Sequence, residues 1–215
     1  GIWVDEYGTI YIADRGPGDT AGQVVLATND GVVTKVFGKP DSELMSQSSS
    51  QYYPVKVLTD DLGIIYIMVE NEYRGIVTLD QNGEFQGYFG SNNVTLTGDV
   101  LMTLFWRNFM TEDQIARMQQ ILPTEYTNFT IDDDGFIYCS RGATNDMNEL
   151  IRKINCKSKN VLQYTERFGD VGLTSVRGQT QKTRFAAITV DDKGFITTLD
   201  TTWNRLFQYT SEGEI

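Results

Sequence analysis

Residues 129–142 read FTIDDDGFIYCSRG: an apolar run, three aspartates, a glycine, then an alternating strand. Asp132, Asp133 and Asp134 fit three readings: a metal site, an acid/base pair, or a turn. A calcium loop spaces its ligands as D-x-D-x-D-G and closes with a glutamate at the twelfth position. Here the acids are adjacent, and the twelfth residue from Asp132 is Ala143. A turn needs less. The first aspartate accepts a hydrogen bond from the backbone N–H two residues on, and the glycine takes the positive φ.

The turn reading gains weight because the stretch recurs. Asp5 to Gly8, Asp60 to Gly63, Asp132 to Gly135 and Asp191 to Gly194 are all D-x-x-G. Two residues after each glycine stands Ile10, Ile65, Ile137 or Ile196, and the next position is Tyr11, Tyr66, Tyr138 or Thr197. Six before each glycine stands Ile2, Val57, Phe129 or Ile188. That is strand, tight turn, strand, four times over.

A second turn follows in each unit: Thr28 to Gly31, Asp80 to Gly83 and Thr210 to Gly213, with Asn155-Cys-Lys-Ser158 departing from the pattern. An apolar strand precedes each, and a further strand ends at Phe37-Gly38, Phe89-Gly90 and Phe168-Gly169. Each unit therefore predicts four antiparallel strands, a to d. Repeated four-stranded units predict an all-β chain, a β-propeller whose blades bury both faces. The units fall at about 1–50, 51–96, 124–180 and 181–215, within a single domain spanning 1–215.

The first unit, GIWVDEYGTIYIAD, resembles the NHL-repeat propellers, whose pattern runs roughly GI-x-V-D-x-x-G-x-I-Y-V-A-D, then N-R-I. Asn204-Arg205-Leu206 supplies the second step, and Arg74-Gly75-Ile76 stands in its place in the second unit. Rings of that family usually close with six blades. The resemblance thus implies that the four units are part of a longer ring in a larger protein.

The interval between the second and third units holds TGDVLMTLFWRNFMTEDQIARMQQILP, 97–123, and predicts an inserted helical hairpin. Thr111 and Gln114 form a capping-box pattern, and Ile115, Met118 and Leu122 make an apolar stripe that Pro123 ends. Blades with such an insertion are also similar to bacterial propeller ectodomains attached to a Yip-type membrane region. That likeness implies an extracytoplasmic or cell-surface location and attachment to a membrane domain in the full-length chain.

Composition narrows the chemistry. The net charge of -11 repels phosphate backbones and argues against nucleic acid as a partner. The chain has no histidine, which excludes a Ser-His-Asp machine and a histidine-ligated zinc site. Of its two cysteines, Cys139 aligns with Ile12, Ile67 and Thr198 and is expected in the core, whereas Cys156 falls on a turn.

Six residues past each turn glycine, strand b runs into the b–c loop. Those positions are Asp14, Val69, Arg141 and Asp200, and Glu70 follows Val69. Asp14, Glu70, Arg141 and Asp200 are the candidate ligand-binding residues, and capping loops or pairing between blades is the structural alternative. The leading expectation is a non-catalytic binding or scaffold module for a protein, peptide or glycan, without a cofactor. The alternative is a lactone hydrolase similar to the gluconolactonase-type propellers. There, Asp14, Glu70 and Asp200 would hold Ca2+ or another divalent cation that polarises a carbonyl and activates water.

Overall fold

A computed structural model describes residues 1–18, 20–46, 51–91, 125–142, 150–164, 168, 173–176 and 179–215. The chain folds as two compact units, Gly1–Pro123 and Thr124–Ile215. The helical hairpin expected over 97–123 lies outside the described residues.

The first unit holds two four-stranded antiparallel sheets, each a simple meander. One runs β1 (Ile2–Val4), β2 (Ile10–Asp14), β3 (Gln23–Ala27) and β4 (Val33–Phe37). A single helical turn, α1 (Glu43–Ser46), follows. The other sheet runs β5 (Pro54–Thr59), β6 (Ile65–Val69), β7 (Ile76–Leu79) and β8 (Phe85–Phe89). Strands of this length suit the β-branched and aromatic runs that build them.

The pairing register sorts side chains into rows. Trp3, Tyr11, Leu26 and Lys35 lie directly across from one another on one face of the first sheet. In the second sheet, Val57, Ile67, Val77 and Tyr88 form a row. The two rows meet in one core in which Val57, Ile67, Val77 and Leu79 are fully buried. Each such aliphatic side chain contributes about 1.5–3 kcal/mol of transfer free energy.

The second unit has β9 (Tyr126–Ile131), β10 (Ile137–Arg141) and β11 (Ile151–Ile154) in one sheet, then a hairpin of β12 (Leu173–Val176) and β13 (Gln179–Lys182). A last sheet contains β14 (Phe185–Val190), β15 (Ile196–Asp200) and β16 (Arg205–Tyr209). Among the described residues these two sheets have three strands, not four. A bridge between Ile154 and Asn160 marks where the first of them begins a fourth. The β12–β13 hairpin is not evident from the repeat pattern. Tyr138, Phe185, Ile188, Ile196 and Tyr209 share a buried cluster, so this pair of sheets packs as the first pair does.

The D-x-x-G turns are structural clasps. In each, the aspartate carbonyl accepts the glycine N–H. Glycine φ angles are 81, 76, 79 and 81° at Gly8, Gly63, Gly135 and Gly194. This is a type I turn closed by a left-handed residue. One carboxylate oxygen accepts two backbone N–H groups: at Asp132 these come from Asp134 at 3.1 Å and Phe136 at 2.8 Å. The other oxygen accepts a tyrosine hydroxyl from strand b. The pairs are Tyr11 with Asp5 (3.3 Å), Tyr66 with Asp60 (2.9 Å) and Tyr138 with Asp132 (2.9 Å). In the fourth copy Thr197 occupies that position. Burial, then the hydrogen bond and charge of Asp132, hold the Tyr138 phenol protonated well above its ordinary range.

The turn at Asn155 has the same geometry despite its different sequence. The Asn155 side-chain oxygen accepts the N–H groups of Lys157 and Lys159. Ser158 takes the glycine's place with φ 58°. A left-handed non-glycine residue costs about 1 kcal/mol. Ser158→Gly is therefore expected to stabilise the protein by about 0.5–1 kcal/mol in urea unfolding.

Candidate functional site

Strand b of each sheet ends where the b–c loop begins, so the loop is closed by whatever pairs across β2–β3 or β15–β16. In the first sheet Asp14 lies opposite Gln23. Its carboxylate accepts the Gln23 amide at 3.2 Å and the Gly16 N–H at 2.9 Å. In the last sheet Asp200 lies opposite Arg205. Asp200 is fully buried and accepts Arg205 Nη2 at 3.2 Å, Thr202 N–H at 3.0 Å and Arg184 N–H at 3.4 Å. The two aspartates hold the same place in the repeat and make the same kind of cross-strand closure.

Arg141 is buried, with 4% of its surface exposed. Its guanidinium carbon lies 5.2 Å from the centre of the Tyr126 ring, a cation–π arrangement. Its backbone N–H donates to Leu150. Asp14 and Glu70 belong to the first unit, and Arg141 and Asp200 to the second. Among the described residues, no group of three or more Cys, Asp or Glu side chains is placed to hold a metal ion.

In the first unit the loops of neighbouring sheets are in contact. Arg15, next to Asp14, reaches Glu70 with Nε 2.7 Å from the carboxylate. Its guanidinium also lies 4.5 Å from the centre of the Tyr53 ring. Tyr53 donates its hydroxyl to Gly18 in the b–c loop at 3.1 Å. The hydrogen bond and charge of Glu70 raise the Arg15 pKa further. Arg15 keeps about half of its side-chain surface exposed, 52%, so water and salt screen the ion pair. Arg15, Tyr53 and Glu70 thus form a partly exposed charged and aromatic surface, with Arg15 exposed and Tyr53 and Glu70 half-buried.

A second, drier cluster is built on Glu72 and Arg74. Glu72 accepts Arg74 through both oxygens, at 2.8 and 2.6 Å, a fork-to-fork pair. Arg74 also donates to Leu44 in α1 and lies over the Tyr88 ring at 4.4 Å. Tyr88 donates to Met45. Burial first, then the Glu72 charge, push the Tyr88 phenol well above its ordinary range. This cluster ties α1 to the second sheet and leaves little of Glu72 exposed. The repeat alignment points to Asp14, Glu70, Arg141 and Asp200 but not to Arg15, Tyr53 or Glu72. Their contacts cross between repeats or reach into irregular segments, where periodicity carries no signal.

Meandering four-stranded antiparallel sheets that pack face to face, each closed by the same turns, are β-propeller blades. No protein-family model and no curated protein matches the sequence. Solved structures do match. A structural-genomics protein of unknown function from Bacteroides thetaiotaomicron aligns with 96% of this chain and 45% of its own, at 14% identity and TM-score 0.53. A protein of unknown function from Bacteroides caccae aligns with 100% of this chain and 64% of its own, at 12% identity and TM-score 0.52. A streptogramin B lyase aligns more loosely, with 98% of this chain and 53% of its own, at 15% identity and TM-score 0.45. The chain therefore spans about half to two thirds of these structures. At such identities the likeness establishes the fold and leaves activity to the site.

Proposed function

We propose that the chain is an NHL-type propeller module that binds a protein, peptide or glycan through its b–c loops, without catalysis, as part of a larger extracytoplasmic protein. The observation that carries this reading is the Arg15–Tyr53–Glu70 surface, which spans two blades and presents a half-exposed arginine stacked on an aromatic ring. Arginine and tyrosine are among the residues enriched at recognition surfaces. The candidate carboxylates support the same reading, because Asp14 and Asp200 are already engaged in closing their own loops. The likeness to Yip-type ectodomains supports the extracytoplasmic location, and the net charge of -11 disfavours nucleic acid.

Arrays of defined peptides and glycans test this. The wild type is expected to retain one ligand class, and Arg15→Ala to weaken it at least about tenfold. The melting midpoint of that variant should stay within about 2 °C, since the ion pair is exposed. Hydrolysis of an aldonolactone that depends on a divalent cation, with no array ligand retained, would contradict the reading.

A further inference from the structure

The first sheet has a second face. Ile2, Ile12, Val25 and Val36 lie across from one another in a single row, and Val4 and Val33 flank it. Ile2 is 69% exposed and Val36 52%, while Ile12 and Val25 are half-buried. A continuous apolar row over four strands is unusual on a free surface.

The repeat says what belongs there. Ile2 corresponds to Val57 and Ile188, and Ile12 to Ile67 and Thr198. In the second sheet that row is fully buried at Val57, Ile67 and Val77, against Tyr11 and Leu26 of the sheet before it. In the last sheet Ile188 is buried in the same cluster as Tyr138 of the sheet before it. In both cases the covering face presents a strand-b tyrosine clasped to its turn aspartate. Lys35, at the outer end of one covering row, also donates to Gln81 of the sheet it covers.

We infer that the Ile2–Ile12–Val25–Val36 face is a docking surface for one further blade of the same kind, one whose second strand presents a tyrosine clasped to its turn. The source is the full-length polypeptide, and the inference rests on the reading of this chain as part of a larger protein. A second copy is a poorer occupant. Copies carrying -11 repel one another, and the row Thr189, Thr197 and Gln208 on the last sheet is polar, with threonine where covering faces have tyrosine.

The test is stability, which is independent of ligand binding. Val36→Lys and Ile2→Lys are introduced separately into the 215-residue chain and into the full-length polypeptide. In the shorter chain the melting midpoint should stay within about 2 °C, because both sites are exposed. In the full-length protein each should lower it by about 5 °C or more, as a lysine forced into an inter-blade core does. If the full-length Val36→Lys protein does not accumulate, Val36→Ser gives the same contrast with a smaller shift. An unmoved midpoint in the full-length protein would overturn the inference. So would a 215-residue chain that self-associates and is released to monomer by Val36→Lys.

Discussion

Asp132→Ala is expected to destabilise the protein by about 3 kcal/mol, read as a shift in the urea unfolding midpoint. The substitution removes the acceptor of two backbone N–H groups, each worth about 0.5–1 kcal/mol. It also strands the Tyr138 hydroxyl, on a residue only 1% exposed, at a cost of about 1–3 kcal/mol. The fourth copy of the turn is an internal control. Among the described residues the Asp191 carboxylate accepts only two backbone groups, from Lys193 and Phe195, and both bonds are exposed. Asp191→Ala should therefore cost about 1 kcal/mol. Equal losses at the two positions would mean that the tyrosine contributes nothing.

Asp200→Ala should cost about 2–3 kcal/mol. Removing one partner of a buried charge pair typically costs about 3–5 kcal/mol. Here Arg205 is 32% exposed and water takes over part of its solvation, so the lower figure applies. Asp200→Asn keeps an acceptor for the Thr202 and Arg184 N–H groups and should lose only about 1 kcal/mol. Thermal melts of both variants, with and without divalent cations, separate the two roles this residue could have. A loop-closing aspartate gives a stability loss that cations do not alter. An aspartate kept for a metal would give little loss without the ion and an ion-dependent shift that vanishes in Asp200→Asn.

Apart from the β12–β13 hairpin, the hairpins at the repeated turns were legible in the sequence because their signals are local. A glycine at positive φ, an aspartate three residues before it, and an isoleucine two after it lie within one hairpin. The burial of Cys139 followed from its alignment with Ile12 and Ile67, and neither cysteine forms a disulfide. Ser158 was opaque for the opposite reason. Its φ is imposed by the Asn155 side-chain bonds to Lys157 and Lys159, and nothing in the identity of serine announces it. Tyrosine recurred visibly three residues after the turn glycines, yet its contact with the aspartate crosses the hairpin and is seen only once the register is known. The candidate site was legible as a place in the repeat but not as a set of contacts. Position along strand b puts Asp14 and Asp200 at loop mouths, whereas Arg15 and Glu70 meet across a separation of 55 residues.

Asp132 in FTIDDDGFIYCSRG is a structural clasp shared with its repeats. A double-mutant cycle on Asp132→Ala and Tyr138→Phe tests it most directly. The clasp predicts a coupling energy of about 1–2 kcal/mol, with the double variant less destabilised than the sum of the single ones. Strict additivity, with Asp132→Ala costing no more than Asp191→Ala, would contradict it.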